Sequence, residues 1–246
     1  MIIDAHVLAG VGQYHQIDPE QLIDQMDRSG IDMALISPID REMAVHNREG
    51  NDRVLALSRQ FEGRFLSYAT ANPWFEGGAV AELERALGEG AAAVKLHPPL
   101  QGFMILEKLV HPLIEVAARH HAPVYVHTGT PAFALPLQLT ELALTYPEVP
   151  FIMGKNGKSD FWMDVMPAFE RAPNLYGDTA HDFPERGMAR MYGGIGSQRM
   201  IFSSNHPVAR MGLEVDKVRD MDVPDSDKSA ILGGNVERLL AERFRQ

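Results

Sequence analysis

Short apolar runs alternate with amphipathic stretches about eight times along this chain. The runs are 2–5, 33–37, 65–69, 92–96, 124–126, 151–154, 175–177 and 200–203. Each is short, continuous and bounded by turn residues, a pattern that predicts buried parallel strands. The stretches between them carry helical spacing. Residues 19–29 place Leu22, Ile23 and Met26 on one face, with Gly30 as a stop. Helices are predicted over 51–61, with Val54, Leu55 and Leu57 inward, and over 79–87, ending at Gly88. The longest, 106–119, spaces Leu109, Leu113, Val116 and Ala117 along one face. Three more cover 135–144, 159–169 with Ser159 as its cap, and 183–192 ending at Gly193-Gly194.

Eight such units in 246 residues predict an α/β chain folded as a (β/α)8 TIM barrel. A doubly wound open sheet is the alternative. The count favours the barrel, and so do the polar residues at the strand ends: His6, His97, His127, Lys155, Asp178 and Asn205. Side chains alternate along a strand, so those of inward parity gather around one mouth. No linker divides the chain, so residues 1–246 are expected to form one domain. Residues 223–246 form its C-terminal helical tail, with Asp225 opening one helix and Asn235 capping the next.

Composition narrows the function. The net charge of −10 argues against a nucleic-acid partner, which needs a basic footprint. No apolar run is long enough to span a bilayer, and the chain opens directly on a strand rather than a signal-type stretch. The absence of cysteine rules out disulfides and thiolate chemistry and fits a cytoplasmic protein. A homodimer is the base-rate assembly.

Seven segments then point to a family: Ile3-Asp4-Ala5-His6, Val94-Lys95-Leu96-His97-Pro98, the 123–129 run around His127, Ile152-Met153-Gly154, the 174–179 run around Asp178, Arg199 to Ser204 followed by His206-Pro207, and the 233–240 helix. In this order and spacing the chain resembles the amidohydrolase superfamily, in the branch of dicarboxylate lactone hydrolases and aminocarboxymuconate-type decarboxylases. The resemblance implies a metal held by a His-x-His pair on the first strand, a histidine on the fifth and an aspartate on the eighth, with a sixth-strand histidine assisting. His6 and His127 match, but Leu8, Lys155 and Asn205 stand at the other three positions. A mononuclear catalytic site needs three protein ligands and an open position. The expectation is therefore an enzyme without a cofactor. Zinc or another divalent metal on His6 and His127, with His97 recruited, is the alternative.

Lys155 brings positive charge to the place of the ion, and Lys95 shares the parity of His97. A basic pocket inside an acidic protein suggests a small anionic substrate. In the leading reading Lys155 and Lys95 polarise a carbonyl, and His127 or His97 moves protons, in hydrolysis or decarboxylation of a carboxylated, lactone or amide-type molecule. Asp178, Asn205, His206, Phe103 and Trp162 are the candidate substrate contacts. A second reading makes Lys155 a Schiff-base lysine, its pKa lowered by nearby cations and low dielectric, unless Asp4 or Asp178 pairs with it and raises it. A third is an inactive ligand-binding paralogue, and a fourth a metal held by a rearranged set. Plainer roles compete. Asp4 fixes the first-strand turn, Asp178 caps a helix, and Phe103, Trp74 and Trp162 pack in the core. Lys158 and the histidines at 15, 46, 111, 120, 121 and 181 read as surface or loop residues. The Gly-rich segment 154–159 is no phosphate loop, because Ile152 stands where that motif needs glycine.

Overall fold

The computed structural model describes residues 1–13, 15–157, 161–182 and 184–245. In chain order the strands are β1 (Ile3–Leu8), β2 (Gly10–Val11), β3 (Gln16–Ile17), β4 (Met33–Ser37), β5 (Phe65–Ala69), β6 (Ala93–Leu96), β7 (Val124–His127), β8 (Phe151–Gly154), β9 (Leu175–Asp178) and β10 (Met200–Ile201). β1 and β4 to β10 form one eight-stranded sheet in sequence order, and every pairing in it is parallel. Its two edges meet. Val7 bridges His206 in parallel, the Ala5 N–H donates to the Phe202 carbonyl (3.0 Å), and the Asn205 N–H donates to the His6 carbonyl (3.0 Å). The molecule is therefore a (β/α)8 barrel, and the open-sheet alternative falls.

Strand alternation sorts the apolar residues into two layers. Val7, Ile36, Val94, Val126 and Met153 face outward and pack under the helices. Ile3, Leu35, Ala93, Ile152 and Ile201 face inward, where Val236, Leu239 and Leu240 of the helix Asn235–Arg243 join them. Each fully buried Val, Leu, Ile or Met among them contributes about 1.5–3 kcal/mol.

Alternation breaks once, in β1. Asp4 stands opposite Ala34 and Val7 opposite Ile36, so Ala5 and His6 share the single partner position of Leu35. This bulge turns two successive residues to the inside. Asp4 holds it, its Oδ1 accepting from the N–H of His6 (3.1 Å) and of Ser204 (2.9 Å). The turn-fixing reading of Asp4 is the one the structure bears out.

The helix Pro19–Ser29 has the predicted bounds, with Asp18 as its cap and Gly30 at φ 71°. Elsewhere local chemistry moved the boundaries. The helix predicted from 51 is Asn47–Gln60. The 106–119 stretch divides into a 3-10 turn, Lys108–Val110, and a helix, His111–Arg119, because Pro112 suits a first helical turn and not an interior. Ser159, Lys158 and Phe183 lie outside the described residues; the helices that follow them are Val165–Arg171 and Ala189–Ile195. The latter runs through Gly193-Gly194 and stops at Gly196. The hairpin of β2 and β3 has two residues per strand, too few to leave a periodic signal. Asn235 is not a cap. Gly234 holds that position, and the buried Asn235 amide donates to the carbonyls of Ser197 (2.7 Å) and Met200 (2.8 Å), tying the tail to the turn before β10.

Candidate active site

The C-terminal ends of the strands surround a cavity of about 240 Å³ lined by His6, Leu8, Lys95, His97, His127, Lys155 and Asn205, with His15 at its rim. A larger cavity of about 370 Å³ lies beside the helices Val165–Arg171 and Ala189–Ile195. The strand-end chemistry converges on the smaller one.

Its floor is Lys95, 1% exposed. The Lys95 Nζ lies 2.6 Å from His6 Nε2 and donates to Ser37 Oγ (2.8 Å). The His6 ring stacks on Tyr125 with centroids 4.5 Å apart, and the Tyr125 hydroxyl donates to Asp178 (2.6 Å). Among the described residues neither Lys95 nor Lys155 forms an ion pair with a carboxylate. Burial, and then the charge of Lys155, pushes the Lys95 ammonium down to about 7, against the opposing pull of Asp178. Burial likewise raises Asp178, and it raises Asp4 to about 7 against the hydrogen bonds that Asp4 accepts.

Above the floor His97 and His127 stack face to face, centroids 3.8 Å apart and planes within 19°. Burial lowers both, followed for His97 by Lys95 and Lys155 and for His127 by His97 and the two lysines. His97 falls to about 3 and His127 further, so both rings are neutral at pH 7. Burial, and then Lys95, also takes His6 well below its ordinary value.

Lys155 reaches the cavity from an unusual turn. Lys155, Asn156 and Gly157 lie in succession at φ 56°, 50° and 61°. A left-handed residue that is not glycine costs about 1–2 kcal/mol. The turn is held from outside. The Gly157 N–H donates to Thr128 Oγ1 (3.1 Å), Thr128 donates to the Gly154 carbonyl (2.6 Å), and the Asn156 amide donates to Asp182 (3.0 Å). Strain over-determined in this way fixes where the next side chain points. Burial lowers Lys155 and Asp178 opposes it, so the lowered-amine expectation has the right direction, and of its two causes low dielectric acts and neighbouring cations do not.

The proposed substrate contacts scatter, and four need correction. Asn205 lines the mouth, its amide 2.7 Å from His181 Nε2. Asp178 is fully buried beneath Tyr125, spent on holding that hydroxyl and the Ala180 N–H. Phe103, 1% exposed, is core. Trp162, half exposed, lies under the Arg190 guanidinium (4.7 Å) at the larger cavity. His206 lines another cavity with His15 and Pro207, because the closing bridge to Val7 turns it from the mouth. Sequence reasoning missed Ser37, Tyr125 and His181. Tyr125 had a signal, two places before His127 on one strand; His181 reaches the site only through Asn205.

The donors do not suit a divalent ion. His6 Nε2 faces an amine at hydrogen-bond distance, Leu8 offers no donor, and Lys155 adds a cation. Among the described residues no three His, Asp or Glu side chains are grouped as a metal site.

A parallel barrel with its chemistry at the C-terminal mouth defines a class of enzyme scaffold. An amidohydrolase family model matches residues 3–241, and the chain belongs to that family; it is an enzyme of amidohydrolase type, hydrolase or carbon–carbon lyase. No curated protein sequence matches it. Among similar solved structures is an uncharacterised TIM-barrel protein from Bordetella bronchiseptica (18% identity, 99% of each chain, TM-score 0.80). Another is a dihydroxybenzoic acid decarboxylase from a Polaromonas species, with bound manganese and 2-nitroresorcinol (17% identity, 100% of this chain and 99% of that one, TM-score 0.77). A third is a 4-oxalomesaconate hydratase from Rhodopseudomonas palustris (16% identity, 98% and 96%, TM-score 0.76). At these identities the likeness is one of fold. The manganese structure lends no support to the expectation of a cofactor-free enzyme; a divalent ion is in keeping with this fold.

Proposed function

We propose that this protein decarboxylates a small, doubly functional carboxylate, and that it does so without a divalent ion. The observation that carries the reading is the pair of lysines at one cavity, neither ion-paired with a carboxylate among the described residues, beside stacked neutral imidazoles. Such a mouth attracts a carboxylate by charge. Loss of carbon dioxide leaves an electron pair on carbon, and a cation fixed in a dry site stabilises that developing charge more than water would. Lys155 at the rim is suited to the incoming carboxylate. Lys95, on the floor, is suited to the group that receives the electrons. The neutral rings of His97 and His127, too weakly basic to hold an extra proton at pH 7, are suited to donating a ring N–H as product forms. The fold relative named for decarboxylation supports this reading over hydrolysis, and among the described residues no group is placed to activate water as a metal would.

The test is carbon dioxide release from a panel of keto and hydroxyaryl carboxylates, with elemental analysis of protein purified without chelator. Release that survives dialysis against a chelator is the expected result. One equivalent of tightly held manganese or zinc, with activity lost on its removal, would overturn the metal-free reading. Lactone hydrolysis without carbon dioxide release would overturn decarboxylation.

A further inference from the structure

Resting on that reading, we infer that Lys95, and not Lys155, is a covalent catalytic residue, which condenses with the ketone of a β-keto carboxylate to form an imine.

The hydrogen bonds around His6 favour a neutral amine at Lys95. His6 Nδ1 is buried and has no partner, while Nε2 lies 2.6 Å from Lys95 Nζ. A neutral imidazole carries one proton. Placed on Nδ1, it would be a buried N–H without an acceptor, the rarer and costlier orphan. Placed on Nε2, it is donated to Lys95, which can accept only through an amine lone pair. Ser37 agrees. Its hydroxyl donates to the Pro38 carbonyl (3.3 Å), so its oxygen is left to accept one N–H from Nζ (2.8 Å). This arrangement uses one N–H and the lone pair and leaves the second N–H unassigned. Lys95 also borders the cavity, so exchanging the His6 bond for a bound ketone frees the lone pair against carbon.

The chemistry balances with water and one proton. Nζ attacks the carbonyl carbon, and one amine proton moves to the oxygen to give a carbinolamine. That oxygen takes a further proton from solvent and leaves as water, giving an iminium. The bond from the adjacent carbon to the carboxylate breaks, carbon dioxide departs, and the electron pair flows to nitrogen as an enamine. The carbon is protonated, and water hydrolyses the new iminium, returning the ketone, the free amine and a proton. Electrons reach nitrogen only if the carboxylate sits on the carbon next to the ketone, which sets the substrate class as β-keto acids. Lys155 holds the carboxylate until it leaves.

The experiment traps the imine in the unmodified protein with sodium cyanoborohydride, using oxaloacetate and acetoacetate as probes, followed by peptide mass mapping. The expected result is one reduced adduct on Lys95, lower in yield but still on Lys95 in Lys155→Ala, where carboxylate binding is weakened, and lost in Lys95→Met. An adduct confined to Lys155 or to surface lysines overturns the assignment. So does carbon dioxide release from either probe with no adduct, an outcome that leaves the decarboxylase reading standing. Release from hydroxyaryl carboxylates alone, with neither probe trapped, overturns the imine in the same way. No release from any carboxylate would remove the decarboxylase reading itself.

Discussion

A buried lysine ammonium whose described hydrogen-bond neighbours are an imidazole and a hydroxyl is disfavoured against the same group in water. Lys95, lowered from 10.5 to about 7, therefore adds stability that is present above pH 10.5 and is lost as pH falls to 7. Asp4, raised from 3.8 to about 7, works in the other window: its contribution is present below pH 3.8 and is lost as pH rises to 7. In Lys95→Met the upper window disappears. Urea midpoints should show this variant gaining on the parent as pH falls from 10 to 7, with carbon dioxide release at least 100-fold down. An unchanged difference across that range would mean Lys95 is not depressed. Lys155 offers a second case. Glycine adopts its φ of 56° without strain, so Lys155→Gly should gain about 1 kcal/mol by urea denaturation while losing turnover. A loss of stability would show that the side chain carries more than the strain costs. At this scale Lys95, His97 and His127 were legible, since parity alone puts them at the mouth. His6 owes its aim to a bulge that alternation cannot reveal. Asp178 was misread because a polar residue at a strand end can as well support a tyrosine from below as face a ligand.

The strand ends fit together through small residues. A Cβ on Gly154 would lie 2.6 Å from the Tyr125 ring, the ring on which His6 stacks. Gly154→Ala should therefore push Tyr125 aside, destabilise by about 1–3 kcal/mol, and disturb the contact between His6 and Lys95. Thermal unfolding gives the first effect and turnover the second; a stable, fully active variant would show that the ring can move freely. The elements themselves were largely readable, because the strands are continuous apolar runs and the helices keep one apolar face. Their ends were not. The split at Lys108–Val110 follows from Pro112, which suits a first helical turn, and the other helix runs through Gly193-Gly194 to stop at Gly196, although glycine is a weak helix former.

The barrel as a whole was legible from the number of repeating units, and closure followed from β1 and β10 finding each other across nearly the full chain. What no count revealed is how the far end is treated. There the terminal helix sets Val236, Leu239 and Leu240 among the inward residues, and a Cβ on Gly233 would fall 2.5 Å from the Met1 carbonyl. The barrel is thus a cup rather than a pipe. Whatever reacts on Lys95 enters past Leu100 and Val208, both exposed beside the mouth, and its products leave the same way. Arrival must wait for departure, so a lingering ketone product would compete with fresh substrate for the same doorway.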